Sequence, residues 1–195
     1  MHALALGIAH SRLFTKIELR NTKLSDKFAI QLLNAMNAKI LRHLDFSLNP
    51  TLTSKFYEHL GQIASNPDSK LEVLELEGVK LSDVNLKRIC KWLPECLNIR
   101  VLNFSKNEIT DKGIPAICVM MQECTALKGL FLHYNRIMMK GGILIAQAIR
   151  ENRYLEVFDI SFNAIGGGIL MRDQKQVQKL KTECATAWNN AFKYN

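Results

Sequence analysis

The chain has 195 residues, of which 48% are hydrophobic and 23% are charged, and its net charge is +8. The apolar fraction is too high for a disordered chain, and ten Gly and four Pro exclude a collagen-like or proline-rich spacer. The longest charge-free apolar runs, 113–121 and 141–149, have nine residues each, whereas a membrane-spanning helix needs roughly 20. We therefore expect a protein without membrane contacts, folded as one domain or two small ones.

Six segments share one pattern of apolar residues, and they begin at Phe14, Leu41, Leu71, Ile99, Leu127 and Leu155. The intervals between these residues are 27, 30, 28, 28 and 28 positions. We number the positions within each copy from its first residue. Positions one, four and six, and a closing position after the turn, are Leu, Ile or Phe in every copy. Such self-similarity at a fixed period is typical of a repeat protein.

Each copy predicts a strand followed by a helix. The apolar residues at positions four and six alternate with variable ones, which predicts parallel strands near 16–19, 43–46, 73–76, 101–104, 129–132 and 157–160. Capping signals follow the turns at 25–26, 53–54, 82–83 and 110–111, and we expect their side-chain oxygens to accept first-turn N–H groups. In the third copy Val84, Leu86, Ile89, Trp92 and Leu93 recur at helical spacing and should pack onto the strands.

Position nine, where the chain turns after the strand, is Asn in four copies: Asn49, Asn107, Asn135 and Asn163. A buried amide at this point can bond backbone groups of its own and the neighbouring coil. Thr22 and Val79 replace it in the first and third copies. We therefore expect a ladder of buried Asn side chains that is interrupted at these two copies.

The five cysteines form an odd set without a Cys-x-x-Cys pair. Cys90 and Cys118 are 28 residues apart, and so are Cys96 and Cys124, which places each pair at the same point of successive helices. Packed helix axes are too far apart for a disulfide. We predict reduced thiols that act as small core residues in a cytosolic compartment.

The pattern L-x-x-L-x-L-x-x-N-x-L resembles the leucine-rich repeat family, and the period near 28 is similar to its ribonuclease-inhibitor-like class. The resemblance implies an α/β fold, a leucine-rich repeat solenoid with a parallel inner β-sheet and outer helices that forms a segment of a horseshoe. Runs at 132–142, 158–163 and 187–192 also resemble intracellular leucine-rich repeat proteins of ciliated cells, including the axonemal dynein-regulatory type. This second resemblance implies a cytoplasmic protein of the cilium or flagellum axoneme.

We expect residues 1–195 to form a single leucine-rich repeat domain that is a window of a longer array. Residues 1–13 would end a preceding repeat, and 14–168 would hold six strand–turn units. Residues 169–195 would hold a basic insertion and the last repeat helix. The insertion is either an exposed, lengthened helix or loop, or a contact to a partner.

Side chains at positions three, five and seven should form the inner face of the sheet. Its acids are Glu18, Asp45, Glu75, Glu77 and Asp159, against the bases Lys16 and Arg20, which gives a charge of −3. The excess positive charge is therefore expected on helices and turns, including Lys106 and Lys128. Because nucleic-acid sites need clustered Lys and Arg along one face, this distribution disfavours nucleic acid as the partner.

Phe131 is a large ring at an inner-face position, with Gly129 two residues before it and Tyr134 and Phe162 at the neighbouring turn edge. Such a ring either anchors an interface or is covered by other parts of the protein. We predict a partner-binding site that comprises Phe131, His133, Asp159, Glu75, Glu77 and Asp45. The acids would favour a basic or mixed protein partner.

Catalysis has little support in the sequence. His43 with Asp45, or His133 with Asp159, could form acid–base pairs, but no Ser or Cys is in phase with them. We expect no cofactor, no metal site and no small-molecule substrate. The sequence predicts a non-enzymatic scaffold or adaptor, a structural subunit of a larger complex. The alternative is a regulator of a small GTPase or another enzyme, either GTPase-activating or inhibitor-like.

Overall fold

The computed structural model describes residues 7–8, 11, 13–35, 40–166, 179, 182–183 and 185–189. Six strands alternate with five α-helices between residues 16 and 159. The strands are β1 (Lys16–Glu18), β2 (His43–Asp45), β3 (Val73–Glu75), β4 (Val101–Asn103), β5 (Gly129–Phe131) and β6 (Val157–Asp159). The helices are α1 (Asp26–Ala35), α2 (Ser54–Ala64), α3 (Asp83–Trp92), α4 (Ile114–Glu123) and α5 (Met139–Glu151), and a short 3₁₀ helix, Leu93–Glu95, follows α3.

The six strands form one parallel sheet in chain order, β1 to β6. The register pairs equal positions of successive repeats, so that Leu44 lies beside Leu74 and Leu74 beside Leu102. Each strand is one residue shorter than predicted, although the next N–H still bonds the neighbouring strand, as Leu19 N does to Asp45 O at 2.8 Å. The prediction of an α/β leucine-rich repeat solenoid with a parallel sheet is confirmed.

The core lies between the sheet and the helices. Strand residues Leu74 and Leu102 are buried, and Leu86 and Ile89 of α3 pack against the same cluster. Val84 is an exception to the predicted helix face, because 60% of its side chain is exposed. Position 84 lies in the first turn of α3, and its exposure places it on the side of the helix away from the core.

The described cysteines confirm the expectation of core thiols. Cys90, Cys96 and Cys124 are buried, Cys118 is half-buried, and all four are free. Burial raises the pKa of the Cys90, Cys96 and Cys124 thiols to about 12 and that of Cys118 to about 11. These thiols therefore stay protonated near neutral pH and fill space as small apolar groups.

The Asn ladder is present at the predicted positions. Asn135 Nδ2 donates to Phe104 O of the preceding repeat at 3.0 Å and to Leu132 O of its own repeat at 2.9 Å. Its Oδ1 accepts from Ile109 N at 3.1 Å. Three other side chains donate in the same way to the position-six carbonyl oxygens of their own repeat and of the preceding repeat: Asn49, Asn107 and Asn163. Asn163, in the last described repeat, is half-buried rather than buried, because no described strand follows β6.

The predicted capping bonds are found in part: Thr110 Oγ1 accepts from Lys112 N at 3.2 Å, but two of the other predicted caps form no such bond. Thr53 and Ser82 occupy N-cap positions but make no side-chain cap bond. Instead the Asp carboxylate at the helix start accepts from a backbone N–H of the following repeat. These bonds join Asp26 to Thr53, Asp83 to Thr110 and Asp111 to Met138, at 2.7, 2.8 and 2.7 Å. The Asp side chains therefore hold successive turns together.

Position eight of every repeat has a left-handed backbone. The φ values of its six residues lie between 52° and 64°, and only one of these residues is glycine: Asn21, Leu48, Gly78, Lys106, Tyr134 and Phe162. A left-handed conformation is strained for bulky side chains and easy for Gly and Asn. The tight turn after each strand therefore imposes this backbone even where the sequence carries an aromatic residue.

Most of the predicted basic insertion lies outside the described residues, as do parts of both ends of the chain. Of the predicted last helix, residues 182–183 and 185–189 are described and helical, and Ala187 and Trp188 pack against the core. No helix within the described part of the chain is both long enough and apolar enough to cross a membrane.

Candidate protein-binding face

The inner face consists of side chains at positions three, five and seven, which alternate with the core residues along each strand. It divides into two parts of different chemistry. The charged half carries Lys16, Glu18, Arg20, His43, Asp45, Glu75 and Glu77. The aromatic half carries Val101, Gly129, Phe131, His133, Val157 and Asp159, and Tyr134 and Phe162 follow it at the turn edge.

Charged and polar side chains of the charged half are paired with one another, some within a strand and some between neighbouring repeats. His43 Nε2 lies 2.9 Å from Glu75 Oε1, and Lys16 Nζ lies 2.8 Å from Glu18 Oε1. Glu77 binds two bases, Arg20 at 2.9 Å and Lys106 at 2.7 Å. Lys106 therefore belongs to the inner face and not to the outer basic surface. With Lys106 included, the face carries five acids and three bases, a net charge of −2 with its histidines neutral.

Glu77 is the most enclosed member of these ion pairs, because only 8% of the residue is exposed. Desolvation raises the pKa of its carboxyl group, but hydrogen bonds from Lys106 and Arg20 outweigh that effect and bring the pKa below its ordinary value. The carboxylate thus stays charged and joins the turns of the first and fourth repeats through the third. Its charge is already neutralised, so Glu77 has little left to offer a partner.

Asp45 faces the sheet surface as predicted by alternation, but it is buried, with 4% of the residue exposed. Its Oδ1 accepts from Ser47 N at 2.7 Å, and Ser47 Oγ accepts from Glu77 N at 3.1 Å. The two side chains turn back onto the strand ends instead of projecting from them. The expectation of an outward Asp45 carboxylate is therefore corrected, since its oxygen satisfies a backbone donor within the fold.

Phe131 lies across Gly129 on the aromatic half. A Cβ atom built on Gly129 would meet Phe131 Cε2 at 3.4 Å and Val101 Cγ2 at 3.5 Å, so the ring lies within van der Waals range of the backbone surface at Gly129. Phe131 is half-buried by this contact, whereas Val157 on β6 is 52% exposed. Val101, Phe131 and Val157 thus form an apolar strip across three adjacent strands.

A second aromatic group lies at the turn edge beside this strip. The rings of Tyr134 and Phe162 stack in parallel, with centroids 4.2 Å apart and planes 5° apart. His133 meets Tyr134 edge-on at 5.9 Å. Tyr134 is 49% exposed and Phe162 is 68% exposed. Exposed aromatic rings at the edge of a half-buried apolar strip are typical of protein interfaces.

The His133 side chain does not form a catalytic triad. Its Nδ1 lies 2.9 Å from Ser105 Oγ and 3.1 Å from Asp159 Oδ2, so both groups meet the same ring nitrogen. In a triad the nucleophile and the carboxylate contact opposite ring nitrogens. Ser105 is also fully buried. The arrangement positions His133 and Asp159 on the face and offers no activated nucleophile.

The sequence analysis placed Val101, Ser105 and Val157 on this face by alternation but gave them no role in binding, and it placed Lys106 elsewhere. Val101 and Val157 occupy position three, and aligning that position across copies would have revealed the apolar strip. Ser105 is 28 residues before His133, a spacing that the repeat itself predicts. Lys106 could not be assigned from alternation, because position eight has a left-handed backbone.

In the part of the chain that the structure describes, no three His, Cys, Asp or Glu side chains are grouped to hold a metal ion. Carboxylates of the inner face are instead satisfied by bases, histidines or backbone donors.

Two segments of the chain, residues 95–118 and 151–171, match the sequence model of the leucine-rich repeat family. No curated protein matches the chain. Together with the repeated strand–helix units and the parallel sheet, the match identifies the chain as a protein built of leucine-rich repeats.

Solved structures share this fold at low sequence identity. The tropomodulin C-terminal domain from Caenorhabditis elegans has a TM-score of 0.59 and 15% identity, over 87% of this chain and 94% of that one. Leiomodin-1 actin-binding site 2 has a TM-score of 0.53 and 17% identity, over 97% of this chain and 92% of that one. These likenesses support the same fold for this chain.

Proposed function

We propose that this protein binds a protein partner through the aromatic half of its inner face, with Phe131 as the anchor and without a catalytic role. The observation that carries the proposal is the placement of Phe131 against Gly129 and Val101. The ring is half-buried against these residues in the unbound chain, which limits the side-chain entropy that it has left to lose on binding. Large, partly covered aromatic rings with apolar neighbours are the side chains that dominate binding energy at interfaces.

The residues of the predicted site differ in whether they are accessible to a partner or engaged within the fold. Phe131, His133 and Asp159 lie together in the aromatic half, and we propose them as the binding residues. Glu75 is paired with His43 but half-exposed, so it can set charge preference at the rim. Asp45 and Glu77 are buried and engaged within the fold, and we propose that they support the face rather than contact the partner.

A non-catalytic role is favoured by the state of the candidate catalytic groups. Ser105 is buried, His133 contacts it through the nitrogen that also meets Asp159, and His43 meets the Glu75 carboxylate rather than a hydroxyl or thiol. The four described thiols have raised pKa values and are poor nucleophiles at neutral pH. Binding is therefore the activity that the described side chains can perform.

We propose a cytoplasmic cytoskeletal setting, with a ciliary or axonemal assembly as its specific form. The support is the sequence resemblance to ciliary leucine-rich repeat proteins and the reduced, buried cysteines. Leiomodin-1, which has this fold, is matched through a segment named for actin binding. Actin filaments and microtubules are therefore the first two polymers to test by co-sedimentation with the full chain.

The experiment that tests the site compares Phe131→Ala with the helix-surface variant Val84→Ala in pull-downs from ciliated-cell extract. Both variants remove apolar side chains, but Val84 lies on α3, on the opposite side of the solenoid. Loss of a hot-spot ring weakens binding by about 2 kcal/mol. We expect Phe131→Ala to lose the partner and Val84→Ala to retain it. The reverse result would place the binding site on the helices.

A second assay distinguishes the scaffold role from the alternative, regulation of a small GTPase. A GTPase regulator would change the rate of GTP hydrolysis by the partner, whereas a scaffold would bind it without that effect. Stimulated or inhibited hydrolysis that persists in Phe131→Ala would contradict the proposal.

A further inference from the structure

We infer that the β6 end of the inner face recognises an arginine side chain of the protein partner, with the Phe162 ring and the Asp159 carboxylate as its two contacts. The inference rests on the proposed function, because it assigns a chemistry to the partner of the same face. It concerns the turn edge beyond Phe131, which the sequence analysis did not include in the binding site.

The first observation is the accessible ring of Phe162. Tyr134 stacks on one side of this ring at 4.2 Å, and no other described ring contacts it. Phe162 nonetheless remains 68% exposed, a larger exposed fraction than the 49% of Tyr134 beside it. A cation placed over an aromatic face is attracted by the negative potential of the ring.

The second observation is that the aromatic residues at this position are not required by the turn. Tyr134 and Phe162 both have left-handed backbones, with φ of 52° and 54°. The same position is Asn21 or Gly78 in other repeats, and these residue types adopt the conformation with less strain. The turn therefore does not require these two rings, which stack on each other and present an aromatic surface at the edge of the face.

The third observation is the Asp159 carboxylate, which His133 links to the stacked rings. Asp159 Oδ1 accepts from Ser161 N at 2.9 Å and Oδ2 lies 3.1 Å from His133 Nδ1. A carboxylate has about four acceptor sites, so these contacts leave room for a further donor. Desolvation raises the pKa of Asp159, but bonds from Ser161 and His133 outweigh it and lower the pKa. The group stays ionised and its side chain is 37% exposed.

These groups form one connected cluster. His133 contacts Tyr134 edge-on and Asp159 by its Nδ1, while Tyr134 stacks on Phe162. Two basic side chains of the turns are already engaged, Lys106 with Glu77 and Arg136 with Glu108. The cluster therefore offers an aromatic surface and an anionic group together, without a cation of its own among the described residues.

Arginine fits this pair of contacts better than lysine does. Its planar guanidinium stacks on a ring and presents several N–H donors to a carboxylate, whereas the lysine ammonium is a compact and strongly hydrated charge. General electrostatic attraction does not account for such binding, because the chain has a net charge of +8 and repels basic peptides at long range.

The test uses a fluorescein-labelled pentapeptide with two arginines separated by glycine, titrated against the full 195-residue chain by fluorescence anisotropy. Matched peptides carry lysine, citrulline or leucine in place of arginine. The protein variants are Phe162→Leu, Asp159→Asn and the control Tyr154→Leu, which removes an exposed ring outside the cluster. Leu48 has the same left-handed conformation as Phe162, with φ of 59°, so leucine is compatible with the turn.

We expect the arginine peptide to bind best, with a dissociation constant raised about tenfold by Phe162→Leu and severalfold by Asp159→Asn. Tyr154→Leu should leave it unchanged. Equal binding of lysine would show that charge alone is read, and equal binding of citrulline would show that charge is not needed. Stronger binding of the leucine peptide would indicate an apolar site. Each of these results, or no binding of arginine, would overturn the inference.

The outcome separates the inference from the proposed function. If Phe131→Ala loses the cellular partner while Phe162→Leu and Asp159→Asn retain it, the inner face is the binding site but arginine is not its ligand. If all three variants retain the partner, the proposed function fails as well.

Discussion

Individual polar side chains join neighbouring repeats at the strand ends. The Asn at position nine reaches the carbonyls of two repeats, as Asn135 does with Phe104 and Leu132. The sequence predicted this role because a buried turn needs an acceptor and a donor in one short side chain. The sequence did not predict the role of Glu77. Alternation places its carboxylate on the inner face but does not show whether the carboxylate contacts solvent or two basic side chains.

Replacement of Asn135 by Ala should lower the free energy of unfolding by about 1 to 3 kcal/mol, because Ile109 N–H and two carbonyls lose a buried partner. The matched control is Asn66→Ala, because Asn66 is exposed and its side chain bonds a single local N–H, that of Asp68. Urea denaturation of both variants measures the difference. A shift for Asn135→Ala no larger than for Asn66→Ala would contradict the ladder's contribution.

The lowered pKa of Glu77 predicts that the contribution of this residue to stability depends on pH. Its pKa in the folded protein is lower than its ordinary value of 4.5, so the folded state binds this proton more weakly than the unfolded chain. The contribution is therefore fully present above about pH 4.5 and is lost as the pH falls through the folded pKa. We expect Glu77→Gln to destabilise the protein by about 1 to 3 kcal/mol at pH 7.

The difference between wild type and Glu77→Gln should shrink as the pH falls toward 3, measured by urea unfolding across that range. Glu156→Gln is the matched control, because Glu156 also pairs with a lysine but its side chain is 67% exposed. A difference for Glu77→Gln that stays constant between pH 7 and pH 3 would show that its charge does not stabilise the fold.

At the scale of the elements, strand and helix positions followed from apolar spacing, because a fixed repeat brings equal positions together in the sheet. The hydrogen bonds at the helix starts did not follow from the sequence. Asp83 and Asp111 resemble caps in the sequence, yet each bonds the next repeat, since the turn of that repeat lies within reach of the carboxylate. A local sequence pattern cannot show a contact that depends on how closely adjacent coils stack.

The close stacking of coils explains the glycine at position 141. A Cβ atom on Gly141 would lie 2.5 Å from Asp111 Oδ1 and 2.9 Å from Ile137 Cγ2, so Gly141→Ala should destabilise the fold by about 1 to 3 kcal/mol. Gly166→Ala is the control, because nothing lies within 4 Å of the place where its Cβ atom would be. Thermal unfolding measures both, and equal shifts would argue against the close approach of Asp111.

At the scale of the whole molecule, the inner face divides into a charged half that is largely neutralised within the fold and an aromatic half that remains accessible. Phe131 was predictable from its position, because alternation places it on this face. The division of the face into two halves was not predictable from the sequence, because it depends on Lys106 reaching Glu77 and on Asp45 turning inward. The charge of the face alone therefore does not distinguish acids that are engaged within the fold from acids that are accessible.

Site-specific photo-crosslinking tests most directly whether the aromatic half binds the partner. A benzoylphenylalanine group is introduced at position 131 on the inner face or at position 84 on the surface of α3, and the full chain is irradiated in ciliated-cell extract. We expect position 131 to yield a discrete covalent adduct with a protein, lost on adding excess unlabelled wild type, and position 84 to yield none. An adduct at position 84 with none at position 131 would contradict the assignment of the binding face.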